Sequence, residues 1–293
     1  MSDFLSRNQI MTLTAGIVMG GVSLFATVGN QLGHHIWLAT LADCLISVGV
    51  YLLLAHWLDG AAAQRVGSSG PGRLVAGLGL LYALVVTAAI TASAIELWQA
   101  WTVSDLPFMF SALLMILAMA YGGIRLGHNV PARLSVITVF LLLAMAIIDT
   151  LLLVPGMRLY RLQPLATVDF SQLAVVGLMQ AGILFGGLPL LMFMLPRAES
   201  ADKAKQGLRR GLAIGLGYML LMEIRNVLLL GDLLTLERYP LLRALKMVEA
   251  GIGWSRLEYF GILAIISVAV NAGMIVLSIA HFCWKQFSAK AKT

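Results

Sequence analysis

Charged side chains are scarce in this chain: Asp, Glu, Lys and Arg make up 12% of its 293 residues. Soluble domains draw about a quarter of their residues from that set, so the composition excludes an ordinary water-soluble fold. Cysteine is nearly absent, with Cys44 and Cys283 in or beside different apolar segments. Two such residues give no disulfide framework, and both read as packing residues. The histidines, His34, His35, His56, His128 and His281, show no metal-ligand spacing with Cys, Asp or Glu. No nucleophile motif is present, and no glycine cluster carries the Lys-Ser/Thr of a phosphate loop. The chain is therefore not expected to be an enzyme, and no metal or other cofactor is expected. The net charge of +6 is spread over short loops, which speaks against nucleic-acid binding.

What is abundant is hydrophobicity: 60% of the residues are hydrophobic and the mean hydropathy is +0.90. A hydrocarbon core of about 30 Å needs about 20 apolar residues in a helix. Eight segments qualify, at roughly 9–29, 36–57, 73–102, 107–125, 132–155, 171–196, 208–231 and 257–284. The first is long for a signal peptide, and its flank is only weakly basic, with Arg7 against Asp3. The expected fold is all-α: a polytopic transmembrane helix bundle of about eight spans, forming one membrane domain over residues 1–293. Residues 58–72 read as a flexible loop. In the loop 232–256, Leu241, Leu242, Leu245 and Val248 have helical spacing, with Arg243, Lys246 and Glu249 between them. That pattern predicts an amphipathic helix at the outer interface or over the bundle, started by Pro240 and ended by Gly251. With the N-terminus in the cytoplasm, thirteen loop Lys and Arg residues fall inside and six outside, while Arg225 lies within a span. The positive-inside rule then places both termini in the cytoplasm.

Two stretches share an A-G-I-x-x-G-G-x-x-L frame: Ala15 to Leu24, AGIVMGGVSL, and Ala181 to Leu190, AGILFGGLPL. Glycine costs a helix interior roughly 1 kcal/mol relative to alanine. The same weak spot in segments 1 and 6, antiparallel at mid-membrane, predicts an inverted repeat with broken helices at a binding site. Freed backbone groups need polar partners. Half-helix N-termini favour a carboxylate and freed carbonyls an ammonium group, so a zwitterionic amino acid offers both. The candidate wall is Gly16, Gly20, Gly21, Gly182, Gly186 and Gly187. The competing reading is that these glycines only let helices pack closely.

Ionisable residues inside spans are functional candidates because lipid makes them costly. Asp43, Glu96, Asp149, Glu223 and Arg225 qualify. Counted along each helix, all five lie roughly 8–13 Å below the outer surface. They could pair, line a wet vestibule, or snorkel separately to the interface. Glu223 and Arg225 are two apart and do not face each other. Arg225 would then need an acid from another span, Asp149 or Asp43.

The order of several short motifs resembles the B subunit of bacterial spore germinant receptors, within the amino acid–polyamine–organocation transporter superfamily. These are SRNQIM before segment 1, Leu106-Pro107 before segment 4, and GHNVPAR, Gly127 to Arg133, before segment 5. Phe185-Gly186-Gly187 and Leu195-Pro196 follow in segment 6, then Tyr239-Pro240 and Arg256-Leu257-Glu258 before segment 8. The likeness covers nearly the whole chain. It implies a LeuT-type inverted repeat, truncated here, since relatives are expected to have ten spans and this chain shows eight. It further implies that segments 1, 3, 6 and 8 surround the ligand. That adds Tyr82 and Thr87 on segment 3, and Ser267 and Asn271, which share a face of segment 8. Interhelical hydrogen bonding is the competing role for each of the four. The implied function is sensing of a small amino-acid-like germinant, with A- and C-type receptor subunits as partners in the spore inner membrane. An amino-acid permease, or a scaffold subunit without a ligand, are the alternatives.

Overall fold

The computed structural model describes residues 4–25, 32–33, 35–59, 70–101, 108–127, 129–162, 169–237, 239–252 and 257–288. Its elements are helical, and an isolated bridge between Leu5 and Ala198 is the only β-type pairing among the described residues. The helices are α1 (Arg7–Phe25), α2 (Ile36–Asp59), α3 (Gly70–Trp101), α4 (Phe108–Ala120) and α5 (Asn129–Leu153). They continue with α6 (Phe170–Gly186), α7 (Ala201–Leu230), α8 (Pro240–Ile252) and α9 (Leu257–Ser288).

Local sequence explains where several of these begin and end. The Ser6 N–H donates to Gln9 Oε1 at 2.8 Å and the Gln9 N–H to Ser6 Oγ at 3.3 Å, so the SRNQ phrase is a capping box for α1. Asp169 caps α6 by accepting the Ser171 and Gln172 N–H groups. With the Ser171 hydroxyl, these donors hold the Asp169 carboxyl below the usual carboxylate range. Ser200 caps α7 by accepting the Lys203 N–H. At its far end, Gly231 with φ +55° closes α7. There the Arg161 guanidinium donates to the Leu228 and Leu229 carbonyls, placing a cation at the helix C-terminus. Segment 4 ends in a π turn, Tyr121–Arg125, where Gly122 and Gly123 pack on Met274 of α9.

Among the described residues, five helices are long and apolar enough to cross a membrane: Ile36–Asp59, Leu74–Ala100, Asn129–Gly156, Ala201–Thr235 and Tyr259–Ser288. Two differ from the rest. In α7 and α9, 61% and 72% of the most apolar stretch is buried inside the bundle, against 28–33% in α2, α3 and α5. The outer helices instead expose Leu45, Leu53, Leu81, Val85 and Phe140, as a lipid-facing surface would. Such apolar exposure makes the chain an integral membrane protein.

Glycines set the directions of the inner helices. Gly207, Gly211 and Gly215 on α7 face, in order, the Arg7 carbonyl with Ile10, the Met11 carbonyl with Thr14, and Val18. So α1 and α7 run parallel, backbone against backbone, along a Gly-x-x-x-Gly-x-x-x-Gly stripe that was not among the expected features. At one end of the bundle Leu5 N–H donates to the Arg197 carbonyl at 2.8 Å, and Lys205 of α7 pairs with Asp59 of α2. We call this the proximal end. At the distal end, Arg158 N–H donates to the Leu228 carbonyl at 3.0 Å. There, Leu32, Ile36, Ala39, Val176, Val227 and Leu230 form a second apolar cluster beside the main core. Hence α2 and α6 both run from distal to proximal, against α7.

The amphipathic helix expected in 232–256 is α8. It lies over the bundle: Ala244 and Leu245 are fully buried, and Leu245 packs on Gly261 of α9. Segment 6, expected as one span over 171–196 with a helix break at its glycine frame, is divided. After Gly186 come a single helical turn, Leu188–Leu191, and a 3₁₀ turn, Leu195–Arg197. Most of the loop expected over 58–72, and the Leu106-Pro107 and Arg256 positions of the motif series, lie outside the described residues.

Candidate functional site

The division of segment 6 has a local cause. Pro189 has no N–H to give the Phe185 carbonyl four residues back, and its ring crowds that carbonyl. The chain beyond it tightens into i→i+3 bonds: Leu190 N–H to Gly187 O at 3.3 Å, Met192 to Pro189 at 3.1 Å, Phe193 to Leu190 at 3.2 Å and Met194 to Leu191 at 2.8 Å. The Gly186 carbonyl, at the break, accepts the Tyr82 hydroxyl of α3. One exposed backbone acceptor is thus satisfied across helices.

Beside the break is a cavity of about 50 Å³. Ile17, Gly20, Gly21 and Leu24 of α1 line it, with Val86 and Ile90 of α3, Gly187, and Ala272 and Val276 of α9. Segments 1, 3, 6 and 8 therefore meet around one space. A single water needs about 10–15 Å³ on this measure, so the space has room for only a few water-sized groups. The wall is apolar apart from the glycine backbone.

One expected break is absent. The helix α1 is continuous from Arg7 to Phe25, through Gly16, Gly20 and Gly21. Glycine weakens a helix but keeps its N–H, so the hydrogen-bond ladder can continue. Close packing supports it here: Ala15, Val18 and Met19 are fully buried, and Gly20 faces Val268 of α9.

The remaining candidates scatter. Gly16 faces Val139 of α5, and Gly182 has nothing within 4 Å of where a Cβ would stand. Thr87 donates back to the Ala83 carbonyl at 2.8 Å and Ser267 to the Leu263 carbonyl at 2.6 Å, each within its own helix. Asn271 turns toward α5, where its amide can donate to the Pro131 carbonyl at 3.0 Å and accept the Ser135 N–H at 3.3 Å. Ser135 also bonds Thr12 of α1 at 2.9 Å. Thr12, Ser135 and Asn271 form a polar tie between α1, α5 and α9, of which sequence reasoning had singled out Asn271 alone. Thr12 and Ser135 carried no sequence signal beyond being hydroxyls inside apolar segments.

Of the five intramembrane charges, four are buried: Asp43, Asp149, Glu223 and Arg225. Glu96 is not one of them; it is exposed, and the Tyr239 hydroxyl donates to it at 3.4 Å. Arg225 lies within electrostatic reach of Asp149, Glu223 and Tyr218, and Glu223 within reach of Asp43. No carboxylate among the described residues closes an ion pair with Arg225. Its guanidinium instead donates to Oδ1 of its neighbour Asn226, at 2.9 and 3.3 Å, and Nη1 has no partner. The Arg225–Asp149 or Arg225–Asp43 ion pair is therefore corrected to a looser cluster. Asn226 follows Arg225 in the chain and takes two of its donors. Asp149 adjoins a small cavity of about 10 Å³, the size of one water, shared with Tyr218 and roofed by Leu241 and Leu245 of α8.

A family model described as spore germination protein, the spore permease family, matches residues 5–293. No curated protein matches the chain.

Proposed function

The chain belongs to the spore germination protein family, and from that premise we propose that it is a B-type germinant-receptor subunit. In this reading a small amino-acid-like molecule is sensed between α1 and the broken end of segment 6. The observation that carries it is the meeting of Gly20, Gly21 and Gly187 with α3 and α9 around one cavity. Glycine there leaves backbone, not side chain, facing the space. The cavity of about 50 Å³ has room for only a few water-sized groups, so an amino-acid-like ligand would have to open it. Opening coupled to binding is what a sensor needs, since a ligand acts by favouring one of two states. Tyr82, by holding the Gly186 carbonyl, would keep the closed state in place.

We further propose that the three shorter apolar segments cross with the five long ones, giving eight spans in a LeuT-type bundle. The proximal end, with Arg7, Arg133, Arg197, Lys203, Arg209, Arg210 and Lys285, would face the cytoplasm together with both termini. The bilayer would be the spore inner membrane, and A- and C-type subunits would read the change of state.

The test uses spores carrying the chain with Gly21→Val, with Gly182→Ala as control, scored for membrane abundance and for germination on amino acids. Gly21→Val fills the cavity wall and is expected to abolish the response at normal abundance. Gly182→Ala meets nothing and should leave both unchanged. A normal response from Gly21→Val at normal abundance would mean that the chain serves as a scaffold. Ion-coupled amino-acid uptake by vesicles of the purified protein would make it a permease.

A further inference from the structure

Among the described residues, two buried oxygen-bearing side chains on facing helices lack any donor. Asp43 of α2 is 0% exposed and neither of its carboxyl oxygens has a partner. Gln180 of α6 is 6% exposed and its Oε1 has none. The two helices run in the same direction and touch at Ala39 and Gly177, where a Cβ on Gly177 would stand 3.7 Å from that of Ala39. Asp43 lies four residues beyond Ala39 and Gln180 three beyond Gly177. At about 1.5 Å per residue these are advances of about 6 and 4.5 Å along the same line, so the two side chains stand level. Offsets of three and four keep each on the contacting face.

Each of these acceptors lacks a donor at the same dry level, and one hydrogen between them satisfies both. We propose that Asp43 and Gln180 form a proton-binding site in the α2–α6 interface, with the Asp43 carboxyl O–H donating to Gln180 Oε1. The surroundings call for a positive charge. Asp43, Asp149 and Glu223 are three buried acids against one buried cation, Arg225. Of the helices packed against α2, α7 presents Glu223 and Arg225, whose guanidinium is turned to Asn226, and α6 presents no ionisable group. On α2 itself, Cys44 follows Asp43. A metal ion is the poorer occupant, because no three His, Cys, Asp or Glu among the described residues are arranged to hold one. Gln180 stands seven residues before Gly187, two helical turns, so proton occupancy sits on the helix that Gly187 of the cavity wall caps. The site does not rest on a ligand in that cavity.

Infrared spectroscopy of the purified protein in lipid vesicles at neutral pH tests this, comparing the parent with Asp43→Asn and Gln180→Leu. Asparagine keeps the shape of a protonated Asp43 and can donate to Gln180, so this variant is expected to fold. The parent should show a protonated-carboxyl C=O band that is lost in Asp43→Asn. In Gln180→Leu the band should move to higher frequency as its hydrogen bond is lost. If Asp43→Asn does not insert, the Gln180→Leu shift decides alone. Identical bands in parent and Asp43→Asn, or a band unmoved in Gln180→Leu, would overturn the proposal. So would a melting temperature raised by sodium over choline in the parent but not in Asp43→Asn, because a cation would then occupy the site.

Discussion

The frame AGIVMGGVSL is continuous helix in α1, while AGILFGGLPL is broken after Gly186. Both carry three glycines at the same positions, so glycine does not decide the outcome. The deciding position is the ninth, Ser23 in one frame and Pro189 in the other. Ser23 keeps its N–H, and its hydroxyl bonds that of Tyr218 on α7 at 2.9 Å. Pro189 removes a rung of the ladder and crowds the carbonyl behind it. Surroundings add to the difference. The α1 frame is held between α5, α7 and α9, whereas α6 exposes Val175, Leu178 and Met179 on its outer side. A glycine frame thus permits a break, and proline in a thinly supported helix makes one.

The largest effect is expected in α1. Ser23→Pro should give α1 the same interruption and also remove the Ser23–Tyr218 bond. The expected loss is about 3 kcal/mol or more. It should appear as a large drop in melting temperature or in membrane abundance; a variant as stable as the parent would mean that Ser23 does not keep α1 whole.

A smaller effect sharpens the other side. Tyr82→Phe removes the donor to the Gly186 carbonyl and should lower stability by about 1 kcal/mol. In a Pro189→Ser background, with the helix mended, the same change should cost nothing, because the carbonyl regains a partner within its own helix. A double-mutant cycle of melting temperatures reads this coupling. Equal costs in both backgrounds would show that Tyr82 acts elsewhere.

Much of the fold was legible because membrane segments announce themselves by length and apolarity. The five long helices lie close to where hydropathy put them, and Leu241 and Leu245 of α8 bury the face that their spacing predicted. The break in segment 6 was foreseen from its glycine frame, but Pro189, whose missing N–H causes it, was no part of that reading. The same reading failed in α1, where glycine content was read as a break without a missing N–H to cause it. Depth in the membrane could be counted from sequence, but rotation about the helix axis could not. Glu96 therefore joined Asp43, Asp149 and Glu223 on paper, while in the fold it faces outward toward Tyr239. The Gly207, Gly211 and Gly215 stripe was readable, but its partner helix is set by tertiary packing, which one sequence does not reveal.

If the Pro189 break, and not the glycines alone, makes the candidate site, mending that break should silence it. Pro189→Ser tests it most directly, with spores scored for membrane abundance and for germination on amino acids. Abundance at or above that of the parent is expected, because a helix rung is restored, together with loss of the response. A normal response from Pro189→Ser at normal abundance would contradict it.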